Sequence, residues 1–266
     1  MNSRKILLVA LVFAAFSVTV LMMPLQGQGQ NKSRSPRQKP EQDIPIVDYG
    51  SPKTESATLQ SEADRTRRAR SARYDTRRIV RDIDTGGTPV LGFSHWDAAL
   101  PALPVVKSAL VVIGQVVDAK AYLSNDKTGV YSEFGIRVDR IFKNDSFSPI
   151  SPGQLVSAER WGGRVRFPSG RVLIFGNRGQ GMPRIGEQYL FFLERNPQQY
   201  EVLTAYELLS GEVHPLDGRG APGGENSEWP GNAYEGVNAA GFLDEVTTLT
   251  GKRKKDVQSG VVAVFR

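Results

Sequence analysis

The chain has 266 residues, a formal net charge of +6 and no cysteine. The lack of cysteine excludes disulfides, thiolate metal sites, thiol nucleophiles and lipid attachment through a cysteine. The basic excess lies before residue 85, whereas residues 100–217 and 218–266 are nearly balanced, so the part that can fold carries no strong bulk field.

An apolar segment at residues 6–23 predicts membrane targeting. Arg4 and Lys5 precede it, and its 18 uncharged residues just suffice to span about 30 Å of hydrocarbon as a helix. It is either a cleaved signal peptide or an uncleaved anchor; the absence of an Ala-x-Ala site favours the anchor, although the basic residues that follow oppose translocation. We expect a location on the extracytoplasmic side of the cell envelope, membrane-anchored or secreted. The side chains expected to contact lipid are Ile6, Leu7, Leu8, Val9, Leu11, Val12, Phe13, Phe16, Val18, Val20 and Leu21.

Residues 24–99 predict a disordered basic tether. They are rich in Gln, Ser, Pro and Arg and contain too few large apolar side chains to offset the entropy cost of ordering. Their arginines could contact anionic lipid, surface polymers or nucleic acid, but the interspersed aspartates favour a solvated spacer. These arginines are Arg65, Arg67, Arg68, Arg70, Arg73, Arg77, Arg78 and Arg81.

Residues 100–217 predict one β-rich domain. In 131–142 the apolar Phe134, Ile136 and Val138 alternate with polar residues, which is the period of a half-buried strand. Several short strands with no helix between them predict a sandwich or a small barrel. The predicted strands are 109–118, 131–142, 155–160, 164–167, 171–175, 188–193, 200–209 and 212–216.

Residues 218–266 predict a Gly-rich loop, an amphipathic helix and a C-terminal tail. Apolar residues recur at helical spacing, and Gly251 is placed to end the helix. Residues 260–266 could form a last strand or a partner-binding β-segment. The helical stripe consists of Ala239, Phe242, Leu243, Val246 and Leu249.

The order of motifs from residue 105 to 217 resembles a known family. A Val-Ile-Gly-Gln-Val-Val strand (112–117), a long strand at 131–143, a Pro152-Gly153 turn and Gly-Glu-Gln-Tyr-Leu-Phe-Phe-Leu (186–193) resemble the netrin-like, metalloproteinase-inhibitor-like OB barrel of secreted bacterial proteins. The resemblance implies a small OB-like β-barrel for this part of the chain. Together with the patterns above, the predicted fold is mainly β, with one C-terminal helix, and is preceded by an N-terminal signal or anchor helix and a disordered tether. Animal relatives use cysteines to staple the fold and to reach a protease metal, so metalloprotease inhibition is not implied here.

No constellation of residues predicts catalysis, a metal or a cofactor. His95 and His214 lack metal-ligand spacing, and His95-Trp96-Asp97 is better interpreted as a Trp anchor than as part of a triad. Residues 124–129 are interpreted as a turn. Glycine-rich residues 176–181 precede no helix, so they predict a hairpin loop rather than a phosphate cradle.

One surface cluster is a candidate ligand site. Alternation would place Arg164 and Arg166 on one face of a hairpin, where arginines and aromatics could bind carboxylates, phosphates or sugars. Alternatively, these arginines only pair with nearby acids such as Glu159. The cluster consists of Arg160, Trp161, Arg164, Arg166 and Arg171.

These features favour a non-catalytic, envelope-exposed binding or interaction module. Its expected partners are the membrane, through the N-terminal segment, and an envelope protein or an anionic polymer. One alternative is an enzyme or enzyme accessory that acts on surface polymers. A third is nucleic-acid or polyanion binding by the OB-like face, with nucleic acid disfavoured by the compartment.

Overall fold

The computed structural model describes residues 44–50, 62–75, 90–95, 99–197, 199–218 and 229–262. Within them the protein is mainly β with one helix near the C-terminal end, which confirms that part of the prediction. The helices are α1 (Glu62–Ala72) and α2 (Ala239–Val262), with a 3-10 turn at Pro230–Tyr234. The strands are β1 (Ile46–Asp48), β2 (Val90–His95), β3 (Leu110–Leu123), β4 (Val130–Lys143), β5 (Leu155–Trp161), β6 (Gly163–Arg166), β7 (Val172–Arg178), β8 (Gln188–Arg195), β9 (Tyr200–Leu209), β10 (Glu212–Pro215) and β11 (Val237–Asn238).

Five strands of the larger sheet form a closed ring of pairings, in the order β3, β4, β5, β9, β8 and back to β3. β3 pairs antiparallel with β4 and β8, and β4 pairs antiparallel with β5. β9 lies parallel to β5 and antiparallel to β8, so each of the five strands has two partners within the set. β10 and β11 extend this sheet beyond β9.

The alternation predicted for β4 separates its two faces. Phe134, Ile136 and Val138 are fully buried in an apolar cluster shared by the five strands, while Glu133 and Arg137 lie on the opposite face. Because successive side chains of a strand point to opposite faces, the alternation of apolar and polar residues in β4 identifies both the face in the core and the face on the outside. β3 and β7 continue further than predicted, through Leu123 and Arg178, into segments interpreted as loops.

A second apolar cluster joins α2 to the larger sheet. Phe242 and Val246 of α2 are buried with Tyr206 of β9, and the rings of Phe242 and Tyr206 lie 5.0 Å apart. Trp229 is buried in the same cluster and donates its indole N–H to the Leu100 carbonyl at 3.0 Å. Four residues of the predicted stripe, Ala239, Phe242, Leu243 and Val246, therefore face the sheet, as their spacing indicates, whereas the fifth, Leu249, is exposed.

The prediction of a disordered tether is wrong for three short segments within residues 24–99. β1 pairs in parallel with β6, and β2 pairs in parallel with β7, which builds a second, four-stranded sheet. α1 is the third segment. β1 (Ile-Val-Asp) and β2 (Val-Leu-Gly-Phe-Ser-His) are short apolar stretches that the average composition of residues 24–99 conceals. Each adds to one edge of the β6–β7 pair, which supplies unpaired backbone donors and acceptors.

The end of α2 also differs from the prediction. The helix continues through Gly251 and includes residues 260–262, so Gly251 does not cap it and these residues do not form a strand. The residues after Gly251 are Lys-Arg-Lys-Lys, which are good helix formers, and a single glycine in a helix costs only about 1 kcal/mol. Residues 263–266 lie outside the described residues.

Neither of the described helices has the combination of length and apolarity that crossing a bilayer requires. The predicted anchor at residues 6–23 lies outside the described residues, as does the proposed docking residue Trp96. Both stay predictions.

Candidate functional site

The structure does not bring the five predicted ligand residues together on one surface. Arg160 lies on β5, two residues after Ala158 and on the same, buried face of the strand. Its side chain is 1% exposed. Its Nη2 donates to Asp217 Oδ2 at 2.7 Å and its Nη1 donates to the Gly181 carbonyl at 2.8 Å. The prediction that Arg160 binds a ligand is therefore wrong, because the side chain is consumed by an internal ion pair.

Asp217 is the centre of this internal network. It is fully buried and also accepts hydrogen bonds from Thr204 Oγ1 and from the Gly181 backbone N–H, each at 2.8 Å. A buried carboxylate that accepts hydrogen bonds from three separate residues holds those residues in place. The network joins β5, β9 and the segment after β7, which is a structural role.

The remaining predicted residues lie apart from Arg160. Trp161 is half-buried and its ring is 5.9 Å from that of Tyr74, so it belongs to an internal aromatic stack. Arg164 and Arg166 share one face of β6, as predicted, with Val165 buried on the other. Arg166 pairs with Asp48 at 3.4 Å, and both side chains are more than half exposed. Arg171, half-buried, precedes β7.

The predicted turn at residues 124–129 and His214 both lie among the described residues. Residues 124–129 form a turn, as predicted: Asp126 Oδ1 accepts hydrogen bonds from Thr128 N and Oγ1, and Lys127 has a φ of 58°. His214 Nδ1 lies 2.9 Å from Glu235 Oε1. In the part of the chain that the structure describes, no group of three or more His, Asp or Glu side chains is arranged to hold a metal ion.

A cleft that the sequence did not indicate lies where four chain segments meet. Its volume is about 1140 Å³, and it is bounded by the approach to β3, the segment after β4, the end of β8 and Thr250 of α2. Two exposed apolar side chains line it, Val106 at 75% and Phe147 at 85% exposure. The lining residues are Val106, Lys107, Ser108, Ala109, Lys143, Asn144, Asp145, Ser146, Phe147, Glu194, Arg195, Asn196, Pro197 and Thr250.

Asp145 organises the cleft. It is only 2% exposed and accepts hydrogen bonds from Arg195 Nη1 at 2.7 Å, Tyr200 Oη at 2.8 Å and the Phe147 backbone N–H at 2.9 Å. Burial acts to raise the pKa of Asp145, but these donors outweigh burial and lower it. The carboxylate is therefore ionised and saturated with donors, which makes it a poor general base and a good positioning group.

Arg195 is the cation that Asp145 positions. Its guanidinium lies 5.8 Å from the centre of the Phe147 ring, and its side chain is 42% exposed. Among the described residues, only Nη1 of this guanidinium has a carboxylate partner, so its other nitrogens can serve a ligand. A fixed guanidinium beside an exposed aromatic ring can bind an anionic group and an apolar group together.

Two lysines complete the rim of the cleft. Lys107 Nζ lies 3.4 Å from Glu194 Oε2 in an exposed ion pair. Lys143 Nζ donates to the Val105 carbonyl at 2.9 Å and to the Ser108 carbonyl, which ties the segment before β3 to the end of β4. The lining holds three basic and two acidic side chains, so it slightly favours a negative ligand.

The sequence contained one signal for this site: a large apolar residue, Phe147, that follows the polar stretch Lys-Asn-Asp-Ser. Comparison of the chain with protein-family models, with curated proteins and with solved structures gives no match.

Proposed function

We propose that the chain is an extracytoplasmic, non-catalytic binding module, and that its cleft binds a ligand with an anionic group next to an apolar group. The observation that carries this proposal is the Asp145–Arg195–Phe147 arrangement, in which a saturated carboxylate holds a guanidinium beside an exposed ring. Binding needs such pre-positioned groups, because a ligand then loses little affinity to ordering the site.

The proposed fold for this module is a small OB-like β-barrel of the netrin-like type. The ring of pairings among β3, β4, β5, β9 and β8 supports it, together with the parallel pairing of β5 and β9 in an otherwise antiparallel set. OB barrels are five-stranded and serve as binding folds for many ligands, so this fold agrees with a binding role without naming the ligand.

The proposed location is the outer side of the cell envelope, with residues 6–23 as a signal or an uncleaved anchor. The basic residues near the anchor would then lie close to anionic headgroups, each contributing about 1 kcal/mol to membrane contact. An anchored module has a restricted search volume, so a modest affinity for an envelope protein or an anionic polymer suffices for occupancy.

The alternatives from the sequence have less support. Nucleic-acid or polyanion binding by the OB-like face loses one of the cations expected to contribute to it, because the Arg160 side chain is buried. An enzyme that uses Asp145 of the cleft as a general base is disfavoured, because the donors around this carboxyl keep its pKa low.

The test uses naphthalene-2-sulfonate, a ring with one anionic group, as the probe in isothermal titration calorimetry. The full chain is held in neutral phosphatidylcholine nanodiscs, and empty discs are subtracted. We expect one site per chain, with binding weakened about tenfold (~1.4 kcal/mol) by Phe147→Ser and by Arg195→Gln.

Matched controls are Leu155→Ser, which removes another exposed apolar side chain (67% exposed), and Arg166→Gln, which removes an exposed guanidinium outside the cleft. Both should bind the probe as the wild type does. Equal binding by all four variants would show that the probe does not use the cleft and would contradict the proposal.

A further inference from the structure

Residues 62–75, here called the latch, lie against the outward face of β4 and β5. The latch consists of α1 and the turn that follows it. On the face beneath it, the pairing of β4 with β5 places Tyr131 directly opposite Trp161 and Glu133 directly opposite Glu159. These four side chains are here called the acidic–aromatic face.

Two ion pairs connect the latch to the acidic part of this face. Arg70 Nη1 lies 2.9 Å from Glu133 Oε1, and Arg73 Nη2 contacts Glu159 Oε1. Like charges directly opposite each other on paired strands destabilise a sheet unless a cation lies between them. Lys120 of β3 lies opposite Glu133 on the other side, and the latch arginines place one further cation on each of the two carboxylates.

The aromatic part of the face receives one latch ring. Tyr74 stacks on Tyr131 with centroids 4.4 Å apart and planes 9° apart, and its ring is 5.9 Å from that of Trp161. Ser71 Oγ lies 3.0 Å from Tyr131 Oη in a buried hydrogen bond. The face thus recognises two features of a bound segment, arginines spaced three residues apart and an aromatic ring immediately after the second one.

Glu159 shows that the face is built in advance of the latch. Its side chain is fully buried, and it accepts hydrogen bonds from Asn196 Nδ2 at 2.8 Å and Gln199 Nε2 at 2.6 Å, both outside the latch. Burial raises the pKa of Glu159 even though Arg73 and these amides act to lower it. These two amides come from the loop between β8 and β9, so part of the hydrogen bonding that positions Glu159 does not involve the latch.

The latch itself is weakly held. Its helix has 11 residues, which is marginal for an isolated helix in water, and its side chains are mostly polar. Among the described residues, none of the three apolar clusters includes a latch residue. Two ion pairs, one aromatic stack and a few hydrogen bonds hold it, the latter from Ser71 to Tyr131, from Asn125 Nδ2 to the Arg68 carbonyl and from the Asp126 N–H to Asp75 Oδ1. Such polar contacts can be exchanged for equivalent ones from another chain without disturbing the apolar clusters.

We propose that the acidic–aromatic face is an interaction surface for a protein segment of the form Arg-x-x-Arg-aromatic, and that the latch occupies this surface in cis. The partner is a basic peptide segment, because the face offers two carboxylates and two aromatic rings in the register that such a segment matches. The bound latch blocks the partner until the partner's local concentration lets it compete. This surface adjoins the cleft through Asn196, which lines the cleft and donates to Glu159, but it does not depend on the function proposed for the cleft.

The first test measures binding of a fluorescein-labelled peptide with the sequence of residues 62–75 to the full chain by fluorescence anisotropy. In the variant Arg70→Glu plus Arg73→Glu, the chain's own latch is repelled by the face. We expect this variant to bind the peptide at least tenfold more tightly than the wild type, whose face is occupied. A peptide with alanine at both of these arginine positions should not bind.

The matched control is Arg65→Glu plus Arg68→Glu, which makes the same charge change on exposed latch positions. This chain should exclude the peptide as the wild type does. Peptide binding that is equal in the two double variants, or absent from both while their circular dichroism is unchanged, would overturn the proposal.

A second measurement needs no variant. Hydrogen exchange of the wild-type chain is followed with and without a large excess of the unlabelled peptide. We expect the amides of residues 66–74 of the chain to exchange at least fivefold faster when the peptide displaces them. Unchanged exchange at a peptide concentration that saturates the unlatched variant would show that the latch is a fixed structural element.

Discussion

Glu159 and Arg160 are consecutive residues of β5, and each forms an ion pair with a partner far along the chain. Arg160 points to the buried side, where it and Asp217 are both fully enclosed. Glu159 points to the other side and pairs with Arg73, whose side chain is 29% exposed. The partner of Arg160 comes from the buried segment after β10, so that pair is structural. The partner of Glu159 comes from the partly exposed turn after α1, so that pair can be exchanged.

The largest effect is expected for the internal pair. Arg160→Met leaves the Asp217 charge buried without its cation, so the free energy of unfolding should fall by about 3–5 kcal/mol. Urea denaturation of the full chain measures this. Adding Asp217→Asn should cost less than the sum of the two single changes, because the two side chains interact. A decrease in the free energy of unfolding below about 1 kcal/mol for Arg160→Met would mean that this buried pair contributes no more to stability than an exposed ion pair does.

An intermediate effect is expected for Asp145, whose pKa is lowered in the folded chain. Such a carboxyl contributes stability above its unfolded pKa of about 3.9, and this contribution is lost as the pH falls through the folded pKa. Asp145→Asn should therefore lower the free energy of unfolding by about 2 kcal/mol at pH 6. The gap between variant and wild type should narrow below pH 4. A gap that is constant from pH 6 to pH 3 would contradict the assignment of an ionised Asp145.

A smaller and local effect is expected for the latch. Tyr74→Ala removes the stack on Tyr131, so the amides of residues 66–74 should exchange about tenfold faster, which corresponds to ~1.4 kcal/mol of local opening. The free energy of global unfolding should change by less than about 1 kcal/mol. Arg65→Ala is the control, and it should change neither quantity. Equal local and global losses for Tyr74→Ala would mean that the latch unfolds only together with the sheet.

The smallest effect is expected for the exposed pair between Arg166 and Asp48. Arg166→Ala should lower the free energy of unfolding by about 0–1 kcal/mol, because solvent screens such pairs. Addition of 1 M salt should remove what difference there is. A loss near that of Arg160→Met would show that β1 is more tightly coupled to β6 than an exposed pair allows.

The sequence predicted features that depend on local periodicity. The alternation of β4 and the apolar stripe of α2 each follow from a repeat that neighbouring residues carry, and both were confirmed. Alternation along β5 also puts Arg160 on the same face as Ala158 and on the opposite face from Trp161. That signal was available, but grouping the hairpin residues by charge concealed it.

Features that depend on distant partners were not predictable. Arg160 meets Asp217 across 57 residues, and the cleft is assembled from four separate segments. The latch escaped prediction because its stability comes from the face beneath it, not from its own apolar content. Tertiary context of this kind overrides local propensity.

The parallel pairing of β1 with β6 has a mechanical consequence. Only three residue pairs form this ladder, bounded by the hydrogen bonds from Arg164 N to the Pro45 carbonyl and from Tyr49 N to the Arg166 carbonyl, each 2.8 Å long. Tension applied to the chain from its N-terminal side enters the described fold at β1. Because so few hydrogen bonds share the load, we expect β1 to separate from β6 at a lower force than is needed to separate the strands of the five-stranded ring.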